Sequence, residues 1–142
     1  MTEDALPVWN LMRTAHVLGM RFGELFASMD LTPTQFAVLT ELEDDEGPTQ
    51  AELARRVLVR PQSIGALVTS LVERGLVTRD GPGGRGRRSG IALTGAGRAA
   101  LEGAWPSVRA FNTPASLGLT PAQAAMLEEI LDRIRTTIGE GD

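Results

Sequence analysis

The chain has 142 residues, close to the roughly 150 residues of one globular domain. Its composition, 42% hydrophobic and 23% charged, excludes a disordered or membrane-embedded chain. The formal net charge of −4, taken as an average, argues against nonspecific binding to a polyanion. With no cysteine and one histidine, His16, the chain lacks the side chains for disulfides, thiolate metal sites or a His-rich site. We therefore expect no metal, no cofactor and no enzymatic activity.

No apolar run approaches the ~20 residues of a membrane helix. The acidic beginning, Met1-Thr2-Glu3-Asp4, does not resemble the basic opening of a signal peptide. These features predict a cytoplasmic protein that makes no membrane contact.

Apolar spacing and capping residues predict four helices, two strands and two further helices, in that order. Thr32, Thr49 and Thr120 each precede a Gln or Glu by three residues, the pattern of a helix N-cap. The predicted helices cover residues 6–29, 33–42, a short segment after Thr49, 61–74, 95–111 and 121–138; the strands cover 76–79 and 89–93. This order predicts a mainly helical (α+β) fold: a helix–turn–helix with a two-stranded wing, between two outer helical regions.

The first helix is apolar around most of its girth, with side chains such as Trp9, Met12 and Phe22. A helix of this kind is buried on more than one side. In a chain of this length, that burial indicates a partner chain.

Charge is concentrated in the middle of the sequence. Residues 50–100 contain nine arginines and three acidic residues, a charge of +6, whereas the rest contains five arginines and 15 acidic residues, a charge of −10. A basic segment within an acidic chain is typical of a nucleic-acid-binding surface.

The helix at 61–74 has a solvent face of small and polar side chains. Such a face fits the DNA major groove, about 12 Å wide, and its amide and hydroxyl groups can pair with base edges. The same composition also suits an ordinary solvated helix. Helical phase places on this face Gln62, Ser63, Gly65, Ala66, Thr69, Ser70 and Glu73.

The loop between the two strands is rich in glycine and carries Arg85, Arg87 and Arg88. Gly81, Gly83 and Gly86 match G-x-G-x-x-G, but a dinucleotide site needs a helix after this motif, and here a strand follows. The loop instead suits a phosphate backbone or a minor groove. A disordered hairpin tip is the alternative.

Two further groups of side chains have a structural and a functional interpretation. His16 is either an ordinary helix histidine or, with Arg13, part of a pocket for an anionic effector, with Trp9, Met12 and Met20 as apolar walls. The acidic residues between 41 and 46 form a solvated helix end and lack the spacing of a calcium loop.

Four segments resemble the multiple antibiotic resistance regulator (MarR) family of winged helix–turn–helix transcription factors. The last of them matches the family pattern L-T-x-x-G-R. They are Leu-Thr-Pro-Thr-Gln-Phe-Ala-Val-Leu at 31–39, Gln-Ala-Glu-Leu-Ala at 50–54, Leu-Val-Glu-Arg-Gly-Leu-Val at 71–77, and Ile-Ala-Leu-Thr-Gly-Ala-Gly-Arg at 91–98.

The resemblance implies one MarR-like domain over residues 1–142, with a winged DNA-binding lobe at 31–98. It implies a homodimer formed by helices in 1–30 and 99–142, a recognition helix at 61–74, and Arg87 in the minor groove. The family usually has an aspartate two residues before the wing arginine, where this chain has Arg85. The chain therefore departs from the family pattern at this position of the wing.

The expected function is a sequence-specific, DNA-binding transcriptional regulator, a ligand-responsive repressor that binds double-stranded DNA as a homodimer on a pseudo-palindromic operator. The alternative is a winged-helix protein-interaction module without specific DNA binding. The predicted DNA-binding residues are Arg60, Gln62, Ser63, Ala66, Thr69, Ser70, Arg85, Arg87 and Arg88; the predicted effector-binding residues are Arg13 and His16.

Replacing the wing arginine tests this interpretation. Arg87→Ala is expected to weaken operator binding and to flatten its salt dependence, because fewer counterions are released when one phosphate contact is lost. The measurement is the slope of log K against log salt. An unchanged slope would contradict the role given to Arg87.

Overall fold

The computed structural model describes residues 6–44, 47–79 and 90–139. Its element order confirms the predicted mainly helical fold with a two-stranded hairpin. In the described ranges, no helix is long and apolar enough to cross a membrane. The elements are α1 (Pro7–Ala27), α2 (Pro33–Asp44), α3 (Gln50–Arg56), α4 (Pro61–Glu73), β1 (Val77–Thr78), β2 (Ala92–Leu93), α5 (Gly95–Phe111), a 3-10 turn (Pro114–Leu117) and α6 (Pro121–Ile138).

The chain divides into two compact units, Met1–Leu101 and Glu102–Asp142. The first contains the helices α1 to α4, both strands and the beginning of α5. The second contains the rest of α5, the 3-10 turn and α6. The lobe and dimerisation boundaries expected from the sequence stay predictions.

Aromatic rings join α1 to α2 in the core of the first unit. The rings of Phe22 and Phe26 meet edge to face at 4.8 Å, and the rings of Phe26 and Phe36 lie 4.9 Å apart. Phe26 is fully buried, as are Leu39, in α2, and Leu53, in α3. This core supports the helices on which the basic segment lies.

The predicted caps are confirmed. The Thr49 hydroxyl accepts a hydrogen bond from the Glu52 N–H at 3.1 Å. Thr32 and Thr120 each form a reciprocal capping box with the Gln three residues later. These bonds satisfy backbone N–H groups that have no partner within a helix, so they define where α2, α3 and α6 begin.

The two strands are shorter than predicted. The antiparallel pairing joins Val77 to Leu93 and Thr78 to Ala92, so residues 76, 79, 90 and 91 lie outside it. Leu76 is excluded because its N–H closes the end of α4 on the carbonyl of Leu71 at 3.0 Å. Residues 80–89, the rest of the predicted hairpin, lie outside the described part of the chain.

Four helical segments end with the same backbone turn. A residue in the left-handed conformation follows the last helical turn. The N–H of the residue after it donates a hydrogen bond of about 3.0 Å to the carbonyl five positions earlier in the chain. The left-handed residues are Asp30, Leu58, Gly75 and Gly118, with φ of 57°, 58°, 74° and 69°. The prediction that Gly75 occupies this position after α4 is confirmed.

The first turn of α5 lies directly against the residue that precedes β1. The Leu76 carbonyl accepts the Thr94 N–H at 3.2 Å, and the Thr94 hydroxyl donates to the Gly75 carbonyl at 2.6 Å. A Cβ atom built on Gly97 would overlap the Leu76 carbonyl oxygen and lie 2.9 Å from its carbonyl carbon. Only glycine fits at position 97 without displacing backbone.

Gly97→Ala is therefore expected to lower the free energy of unfolding by about 1–3 kcal/mol, because the added methyl group displaces the strand base or α5. The measurement is chemical denaturation at a fixed protein concentration. Gly95→Ala is the matched control, since a Cβ there meets no atom within 4 Å. Equal stability of the two variants would contradict the close approach.

Candidate nucleic-acid interface

The helix–turn–helix consists of α3, residues 57–60 and α4. Ile64, Val68 and Leu71 of α4 are buried, which confirms the predicted phase of the helix. Most of the predicted solvent face is exposed, so its small side chains are available to a ligand. The exposed residues are Gln62, Ser63, Ala66, Thr69 and Glu73, and the half-buried ones are Gly65 and Ser70.

Gly65 lies at the contact between the two helices. A Cβ atom at Gly65 would lie 3.5 Å from the Gln50 Oε1 atom of α3. Helical phase alone had placed Gly65 on the solvent face. The half-buried Gly65 therefore faces the first residue of α3 as well as solvent.

Thr69 is connected to the wing base. The Arg79 Nη2 group, just after β1, donates a hydrogen bond to the Thr69 hydroxyl at 3.3 Å. Both side chains are exposed. Arg79 was not among the predicted site residues, because only the folded hairpin brings it to α4. The sequence indicated a role in binding only through its position in the basic segment.

The arginines of the basic segment that the structure describes divide into two groups, and Arg79, bonded to Thr69, belongs to the first. Arg56 pairs with Glu41 at 3.7 Å and with Glu52 at 3.2 Å, and Arg74 donates to the Gln35 Oε1 atom at 3.3 Å. The guanidinium groups of these two arginines are bound by acceptors within the protein.

Arg55, Arg60 and Arg98 form the second group. All three are exposed, and none forms an ion pair or a side-chain hydrogen bond with another residue of the described ranges. Their charges are available to an external anion. The predicted wing residues Arg85, Arg87 and Arg88 lie outside the described residues.

Arg13 and His16 line the same open depression on α1. It has a volume of about 420 Å³ and is lined by Trp9, Met12, Arg13, His16 and Val17. A second depression of about 460 Å³ also includes Arg13, with Asn10, Thr14, Val17 and Leu18. Met20 lies one turn further along α1. Sequence reasoning thus grouped two side chains that the helix brings together.

The acidic end of α2 carries no described metal site. Glu43 and Asp44 are exposed, while residues 45 and 46 are outside the described ranges. Across those ranges, no group of three or more His, Asp or Glu side chains is arranged to hold a metal ion.

A model of the MarR family matches residues 29–88, which span α2, α3, α4 and β1. A Mycobacterium tuberculosis protein named HTH-type transcriptional repressor Rv2887 is 29% identical over 134 residues, covering 94% of this chain and 96% of its own length. An uncharacterized HTH-type transcriptional regulator of Bacillus cereus is 33% identical over 107 residues, covering 75% of this chain and 71% of its own length.

Crystal structures of relatives have the same fold. Rv2887 in complex with DNA superposes with a TM-score of 0.72 at 27% identity, covering 90% of this chain and 96% of that one. Rv2887 in complex with p-aminosalicylic acid gives 0.69 at 29% identity, covering 90% and 97%. A probable transcriptional regulator from Pseudomonas aeruginosa gives a TM-score of 0.74 at 31% identity, covering 90% of this chain and 96% of that one.

These relatives are regulators, which agrees with the expectation that the chain is not an enzyme. Their similarity extends beyond the helix–turn–helix to most of the chain. The four sequence segments, the helix order and the hairpin base all match one family. The chain belongs to the MarR family of winged helix–turn–helix transcriptional regulators.

Proposed function

We propose that the chain is a homodimeric transcriptional repressor that binds a pseudo-palindromic operator and responds to a small aromatic anion. The observation that carries this proposal is the exposed face of α4, whose side chains are uncharged from Gln62 to Ser70 and mostly small or polar. An acidic protein that presents such a helix within a segment of charge +6 is suited to a DNA major groove.

Base recognition is assigned to the first half of α4. Gln62 can pair with an adenine edge, Ser63 with a base or a phosphate, and Ala66 can contact a thymine methyl group. Ser70 is half-buried, so its contact with DNA is limited to its exposed edge. Thr69 acts together with Arg79, because their hydrogen bond orients both groups.

Phosphate contacts are assigned to Arg60 and to the arginines of the predicted wing. Arg60 is exposed at the N-cap of α4 and supplies one of them. Arg85, Arg87 and Arg88 supply others from the wing, with Arg87 in the minor groove. Such contacts provide affinity and orientation, whereas sequence is read in the grooves.

Dimerisation is assigned to the apolar surfaces of α1 and α6. None of the residues of α6 is buried, although the helix carries Met126, Leu127, Ile130 and Ile138. On α1, Val8, Trp9, Met12, Val17 and Met20 are all more than half exposed. Soluble monomers rarely leave such surfaces uncovered, so a second copy is their expected partner.

Repression is assigned by similarity. The relative Rv2887 is named a repressor and has been crystallised with DNA. An operator-bound dimer acts where the chromosome is, so the proposal places the protein in the cytoplasm. Two recognition helices related by a twofold axis would read half-sites about one helical turn apart.

The effector is assigned to the depression on α1. Rv2887 has been crystallised with p-aminosalicylic acid and with salicylic acid, both aromatic carboxylates. Trp9 and Met12 offer apolar walls for a ring, and the Arg13 guanidinium suits a carboxylate. Release from DNA then requires that the ligand bind one arrangement of the dimer better than the other.

Selection of bound sequences from a random DNA pool tests the DNA-binding proposal. We expect a twofold-symmetric consensus. Gln62→Ala should relax one position of each half-site at a cost of about 1–3 kcal/mol, while Arg60→Ala should weaken all sequences evenly and lower the salt slope. No consensus at low salt would favour the protein-interaction alternative.

Calorimetric titration with salicylate tests the effector proposal. Arg13→Ala should weaken binding at least about tenfold, because a charged hydrogen bond to a carboxylate is lost. His16→Ala should weaken it less. Arg21→Ala is the matched control on the same helix, since Arg21 pairs with Glu24 at 3.6 Å outside the depression. Equal affinity of the Arg13 and Arg21 variants would contradict the assignment.

A further inference from the structure

Leu58 has an unusual backbone conformation and an unusual exposure. It lies in the turn between α3 and α4 with φ at +58°, a region that bulky L-residues rarely occupy. Its side chain is 76% exposed, as high as any large apolar side chain in the described ranges. The fold therefore bears backbone strain at Leu58 and gains no apolar burial from it.

The other helix ends show that the fold does not need leucine at this position. After α4 and after the 3-10 turn, the same backbone turn uses Gly75 and Gly118, and after α1 it uses Asp30. The turn at Leu58 is closed by the Val59 N–H, which donates to the Ala54 carbonyl at 3.0 Å. Glycine would make this turn with less strain, so the side chain has no evident structural role.

The surroundings of Leu58 are cationic. Arg55 and Arg60 lie on either side of it in the sequence, both exposed and without an ion pair in the described ranges. Arg56, by contrast, is directed to Glu41 and Glu52. An exposed apolar group between two available cations fits a polyanion that also has apolar surface.

We propose that Leu58 is a DNA-contacting residue that packs against an apolar edge of the operator where α4 enters the groove. This inference rests on the proposed DNA-binding function. Arg55 and Arg60 would bind phosphates on either side of the contact. Backbone strain at a binding site persists when the side chain that causes it has a function in the bound state.

DNA offers two apolar edges at a groove, the C5-methyl group of thymine and the carbon face of deoxyribose. Both would remove the leucine side chain from water, and both need the side chain to project from the protein. The high exposure of Leu58 in the free protein meets that requirement. Only the contact with the thymine methyl group depends on which base is present.

The decisive variant is Leu58→Gly, measured for stability and for affinity to the selected operator. Stability should rise or stay equal, because glycine adopts positive φ without strain. Affinity should fall at least about tenfold, because apolar contacts are lost in both half-sites. A side chain that matters only for folding would move both quantities in the same direction.

Two controls separate the side chain from the backbone. Leu58→Met keeps a long apolar side chain and should retain affinity within about threefold. Asp30→Gly makes the same backbone change in the equivalent turn after α1 and removes an anion, so it should not weaken DNA binding. Loss of affinity in Leu58→Gly alone would support the contact.

Operators with deoxyuridine in place of single thymines identify the apolar edge. If Leu58 contacts a methyl group, one such substitution in each half-site should weaken wild-type binding by about fourfold per site, the effect of one buried methyl group. Leu58→Gly should not respond to it. If no deoxyuridine has an effect but Leu58→Gly binds weakly, the contact is to deoxyribose.

Equal operator affinity of the wild type and Leu58→Gly would overturn the inference, and so would a change confined to oligomeric state. The DNA-binding proposal fails separately, if the wild type itself selects no operator. The wild-type measurement therefore distinguishes the two failures before any variant is compared.

Discussion

The winged lobe depends on the packing of α5 against the carbonyl of Leu76. The N–H of this residue closes the end of α4, and its carbonyl accepts the Thr94 N–H before α5 begins. Gly97 brings the helix so close that no side chain fits between. One residue thus fixes the end of α4, the base of the hairpin and the start of α5 with respect to each other.

This constraint supports the base of the hairpin. In the described part of the hairpin, the ladder between β1 and β2 contains two residue pairs, too few to be stable by themselves. The Thr94 bonds to residues 75 and 76 extend the connection beyond the ladder. Arg79, at the other end of β1, adds a bond to Thr69, so the wing base and α4 are joined at two points.

Much of this architecture could be predicted from local patterns in the sequence. The Thr caps, the apolar phase of α4 and the glycine after it depend on residues within one or two turns, so sequence spacing predicts them. Three features depended on contacts between distant residues and were not predicted: the hydrogen bond between Arg79 and Thr69, the contact of Gly65 with α3, and the early end of the strands. The strain at Leu58 was also missed, because a leucine after a helix carries no signal for positive φ.

The sequence alone determined that the chain has no thiol chemistry, that its helices follow the order of a winged helix–turn–helix, and that its net charge of −4 combines +6 in the middle with −10 elsewhere. These properties depend on composition and on periodicity along the chain. The tertiary structure decided which arginines remain available for a ligand. Arg56 and Arg74 meet acceptors on other helices, whereas Arg55 and Arg60 meet none in the described residues, and only the folded positions of those acceptors separate the two groups.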